Sequence, residues 1–66
     1  MTDDELYHEV ATAESWAGRP FTHASEVAER VGLTRQAVRQ RLEDLVETHE
    51  DLHRYKPARD VIYYVD

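Results

Sequence analysis

The sequence predicts an α+β domain in the order helix, short strand, helix, helix, β-hairpin, and three observations carry that prediction. Three segments place apolar residues at helical spacing, and the first two of them run into a glycine. Two β-prone segments follow, separated by a polar stretch with a proline in it. The chain has 66 residues and no cysteine. A chain of that size buries only about 60% of its unfolded surface, so one apolar core must hold it without disulfides or thiolate-bound zinc. No repeat, low-complexity tract or linker interrupts residues 1–66, which read as one domain.

Each element has a local cause. Thr2 and Glu5 have the spacing of a capping box and open a first helix expected to run to about Ala17, where Gly18 and Pro20 stop it. Its stripe is Leu6, Val10, Ala13 and Ala17, flanked by Tyr7 and by Trp16 as a packing anchor. Phe21 and Thr22 suggest a short extended segment. Ser25 is the expected cap of a second helix through Val31, with Glu26 and Glu29 near the positive end of its dipole, and Gly32 ends it. Thr34 is the expected N-cap of a third helix, whose apolar stripe of Val38, Leu42, Leu45 and Val46 reaches about His49. Leu52 to Tyr55 and Val61 to Val65 then read as the strands of a hairpin around Lys56, Pro57, Ala58, Arg59 and Asp60.

The charge balance runs against polyanion binding, with 14 acids, 8 bases and a formal net charge of −6. Its distribution does not. Residues 34–41 and 53–59 hold Arg35, Arg39, Arg41, Arg54, Lys56 and Arg59 and not one acid, while acids crowd residues 3–14 and 43–51. The bases are seven arginines to one lysine, a bias that resembles proteins of extreme halophiles; that likeness implies that the acidic body is a solubility adaptation to molar salt.

The segment from Ala24 to Leu45 resembles the helix-turn-helix of winged-helix transcriptional regulators. Ala28 stands where that motif takes a small residue at the helix crossing, Gly32 where it takes a turn glycine, and Val38 where the second helix carries a branched apolar residue. With the hairpin as the wing, the likeness runs from about Leu6 to Val65. It implies a winged helix-turn-helix of three helices, a C-terminal β-hairpin wing and a short strand near Phe21, binding duplex DNA with the third helix in the major groove and the wing on adjacent backbone. Residues of the right chemistry stand there. If Val38, Leu42 and Leu45 face the core, Arg35, Gln36, Arg39 and Gln40 face away, and Arg and Gln can pair bidentately with guanine and adenine. Thr34 and Arg41 flank that face and suit phosphates, as do Arg54, Lys56 and Arg59 from the wing. The bland alternative is a solvated helix face with Arg39 paired to Glu43.

A second function class stays open, namely a winged-helix module for protein–protein interaction or dimerisation without direct DNA contact. In a strand of period two, either Ile62 and Tyr64 or Val61, Tyr63 and Val65 lie away from the core and ask for a partner, such as a second copy in a homodimer. No enzyme is expected: the chain lacks a nucleophile elbow and a phosphate-cradling glycine loop. His8, His23, His49 and His53 come without a metal-binding pattern, so neither metal nor cofactor is expected, and no small-molecule substrate is evident. No apolar run approaches a membrane span, and the start, Met1 to Glu5, is acidic where a signal peptide would be basic. The expected location is cytoplasmic and nucleoid-associated.

Overall fold

Four helices and an antiparallel hairpin make up the computed structural model, which describes residues 2–66: α1 (Asp3–Ala11), α2 (Ala13–Ala17), α3 (Ala24–Val31), α4 (Arg35–Thr48), β1 (Leu52–Tyr55) and β2 (Ile62–Val65). The class is α+β, in a layout compatible with a winged helix. The Thr2 hydroxyl caps α1 by accepting the Glu5 amide at 3.3 Å.

The expected first helix is two. Thr12 leaves the helical region at φ −102°, ψ 14°, and its hydroxyl donates back to the His8 carbonyl at 2.8 Å. Such back-bonding by a β-branched hydroxyl bends helices. The Trp16 indole N–H then donates to the Glu9 carbonyl at 2.9 Å, securing α2 against α1. Gly18 closes α2 at φ 74°, left-handed backbone that glycine adopts without a Cβ clash.

Two further boundaries differ from expectation, and both differences trace to one contact. The extended segment narrows to a single bridge in which the Thr22 amide donates to the Tyr63 carbonyl at 2.9 Å and the Tyr63 amide returns the bond at 2.8 Å. That bridge makes β2 the middle of the sheet, between Thr22 and β1. It also holds the chain extended through His23 (ψ 154°), so the N-cap of α3 is His23 and not Ser25, which already lies in the first turn. The Glu26 carboxylate accepts the His23 amide at 3.2 Å, and Nδ1 of His23 lies 3.1 Å from the Val61 carbonyl. With its carbonyl turned toward His23, Val61 precedes the strand instead of opening it, and β2 begins at Ile62.

α3 passes to α4 through Gly32 (φ 74°), and the Thr34 hydroxyl caps α4 by accepting the Ala37 amide at 3.2 Å. In the hairpin Leu52 pairs with Val65, His53 with Tyr64, Arg54 with Tyr63 and Tyr55 with Ile62. The core joins Leu6 and Val10 of α1, Val27 and Ala28 of α3, Val38, Leu42 and Leu45 of α4, Leu52 of β1 and Tyr63 of β2. The alternation along β2 is thereby decided: Val61, Tyr63 and Val65 pack toward the core, and Ile62 and Tyr64 face away. Among the described residues no helix is long and apolar enough to cross a membrane.

Candidate nucleic-acid interface

Burial of one side of α4 sets the direction of the other. Val38 and Leu42 are fully buried and Leu45 nearly so, which leaves Arg35, Gln36, Arg39 and Gln40 exposed on the opposite side. These four residues, with Glu43 and Asp44, line a depression of about 590 Å³ along the helix. The acids close its C-terminal end, so only the first two turns of α4 present an acid-free surface to a polyanion. Thr34 is exposed at the start of this face; its oxygen caps the helix and its O–H remains a donor. Arg41 is half-buried at the edge.

The wing cations separate into three situations. Arg54 lies on the hairpin side facing α4, where its Nε is 2.8 Å from Glu43 Oε1. Glu43 is therefore engaged by the hairpin and not by Arg39, the pairing that helical spacing offers. Lys56 stands exposed at the start of the turn. Arg59, at the other end of the turn, meets Arg35 and Arg39: the three line a wedge of about 300 Å³ together with His23, Ala24 and Ser25 at the start of α3 and Asp60, Val61 and Tyr63 of the hairpin. Sequence reasoning missed that α3 contributes to this surface. The signal was present in the extended pair Thr22–His23, whose partner on β2 decides where α3 begins.

Charge in and around the wedge is uneven. Arg19 is bonded to Glu26, Arg30 to Glu9 at 2.6 Å and Arg54 to Glu43, whereas among the described residues Arg35, Arg39 and Arg59 form no ion pair. Burial works against ionisation of Glu26, but hydrogen bonds from Arg19 and from the His23 amide outweigh it and hold its carboxyl below the ordinary glutamate value. The Tyr63 hydroxyl is fully buried; no hydrogen bond of normal geometry reaches it, although the Arg54 guanidinium approaches. Burial, and then the nearby Glu43 charge, push its pKa above that of an ordinary tyrosine.

The histidines are dispersed. His49 stacks on Tyr7 at 4.7 Å, His53 lies against Tyr64 at 5.2 Å, and His23 serves the Val61 carbonyl. Among the described residues no group of three or more His, Asp or Glu side chains could hold a metal ion. Compared with family models, with curated proteins and with solved structures, the chain finds no match.

Proposed function

We propose that this chain is a winged helix-turn-helix protein that binds duplex DNA and regulates transcription, acting at the nucleoid. The observation that carries the reading is the exposed, acid-free first half of α4, with Arg35, Gln36, Arg39 and Gln40 on one side, in a chain whose acids outnumber its bases. The side chains available there can read guanine and adenine in the major groove. Thr34 and Arg41 at the edges of the face, and Lys56 and Arg59 on the hairpin, supply backbone contacts that fix register. Arg54 contributes its charge from the Glu43 pair, an exposed contact that costs little to open.

Fluorescence anisotropy with a pool of random duplexes tests this reading. Binding is expected at low salt and should weaken along a straight log–log line as KCl rises, with a slope of about −5 if six phosphates are touched. No binding at 50 mM KCl, with the protein folded, would sink the proposal.

One observation favours a second reading. The outer side of the hairpin pairs Tyr55, 57% exposed, with Ile62, beside His53 and Tyr64. A surface of that kind suits a second copy of the chain, whose two groove-facing helices would then read two half-sites about one helical turn apart. Sedimentation equilibrium with and without Tyr55→Glu separates dimer from monomer.

A further inference from the structure

The wedge where α3, α4 and the hairpin turn meet brings together three like charges from two parts of the chain. Arg35 and Arg39 come from adjacent turns of α4 and Arg59 from the hairpin turn, and among the described residues the only carboxylate lining the wedge is that of Asp60. Like charges gathered in one concavity repel unless an anion lies between them. Elsewhere the fold answers arginines with carboxylates: Arg19, Arg30 and Arg54 each have one. In the wedge, among the described residues, it does not, although the chain has 14 acids available.

The remaining lining points the same way. Ala24 and Ser25 are the first two residues of α3, an eight-residue helix whose initial amides are directed out of its N-terminus and whose dipole is positive there. Tyr63, fully buried, also lines the wedge, and among the described residues no hydrogen bond of normal geometry reaches its hydroxyl, although Arg54 approaches it. The volume of about 300 Å³ is ample for a tetrahedral oxyanion and its water. The position is rigidly set, because the Thr22–Tyr63 bridge and the His23–Val61 contact hold the α3 start against the hairpin.

We infer that this wedge is a binding site for one phosphate-class oxyanion, held by the guanidinium groups of Arg35, Arg39 and Arg59 and by the first amides of α3. The inference rests on the DNA-binding reading and narrows it in one respect: the occupant on DNA is one backbone phosphate, so Arg35 and Arg39, counted above among the side chains able to read bases, are assigned to the backbone, and base edges are left to Gln36 and Gln40. The same chemistry accepts free inorganic phosphate, which then competes with DNA. Asp60 opposes either occupant and sets the affinity below that of an all-cationic pocket.

The test is an amide NMR titration with inorganic phosphate at constant ionic strength, chloride being the balancing anion. Saturable shifts at Ala24, Ser25, Arg35 and Asp60 are expected, weakened about tenfold by Arg59→Gln, as the loss of one charge-assisted bond requires. Asp60→Asn should tighten binding. Arg59 and Asp60 are exposed turn residues, so both variants retain the fold. Shifts that stay linear in phosphate and equal those in chloride, or that Arg59→Gln leaves unchanged, would overturn the site. A parallel anisotropy series on duplex DNA separates this inference from the reading it rests on. Arg39→Gln should weaken binding to all sequences alike and make the salt slope shallower by about one unit. A loss of preference at a single base pair would instead make Arg39 a base reader. DNA binding without phosphate saturation would remove the wedge site and leave the DNA reading standing; phosphate saturation without DNA binding would do the reverse.

Discussion

Arginine serves opposite purposes at two places in this molecule. Beside α1 and α2, Arg30 lies over the Trp16 ring at 4.5 Å from its centroid and donates to Glu9 at 2.6 Å, so its charge and its plane are both engaged. Around the wedge, Arg35, Arg39 and Arg59 have neither a carboxylate partner nor an aromatic face among the described residues. Composition cannot distinguish the two groups, since both belong to the same set of seven arginines in the same acidic chain. What separates them is whether the fold has already supplied the anion. An arginine satisfied within the chain is structural, and one left unanswered beside others of its kind is available to an external partner.

Substitutions can break that contrast, beginning with the largest expected effect. Arg35→Glu combined with Arg39→Glu should lower duplex affinity at least about 100-fold, as two lost charge-assisted contacts of about 1.5–3 kcal/mol each imply, while the urea midpoint barely moves; anisotropy and denaturation measured together check both halves. Trp16→Ala should do the converse. It removes a half-buried ring, its bond to Glu9 and its stacking with Arg30, for a loss of about 2 kcal/mol in urea unfolding, with the affinity of the folded protein unchanged. Gly32→Ala finds open space for its Cβ but keeps a φ of 74°. Its cost is then backbone strain alone, about 1 kcal/mol, and it should be read as stability and not as altered DNA contact.

The smallest effect concerns pH. The Glu26 carboxyl titrates below the ordinary value of 4.5 in the folded chain, so its contribution is complete above that pH and is lost as pH falls through the lowered folded value. Glu26→Gln should therefore lower the urea midpoint slightly at neutral pH, where the half-buried Arg19 pair and the charged cap are lost, with the difference from the parent chain closing as pH falls below 4.5. Urea midpoints from pH 3 to pH 7 measure it.

Signals that act within a turn were legible in the sequence, and those that needed a distant partner were not. Thr2, Thr34, Gly18 and Gly32 end or begin helices where local chemistry says they should. The break at Thr12 escaped because the stripe from Leu6 to Ala17 keeps its helical spacing straight through it, and the tie that secures the bend comes from the Trp16 side chain. Ser25 was the better local cap, yet the bridge to Tyr63 had already fixed the entry one residue before α3 at His23. The exposed face of α4 followed from periodicity alone. Its meeting with Arg59 depends on how Thr22 and His23 fasten the hairpin, which no spacing within either segment encodes.

The central claim is that the first two turns of α4 and the hairpin turn form one polyanion-binding surface. Backbone-amide NMR of the folded protein, titrated with a pool of duplex DNA from low to molar KCl, tests it residue by residue. The account predicts shifts concentrated in residues 34–41 and 53–60, together with Ala24 and Ser25, that diminish as KCl rises. Amides that stay still there, with changes confined to α1 and the outer side of β2, would contradict it and leave self-association as the function of the fold.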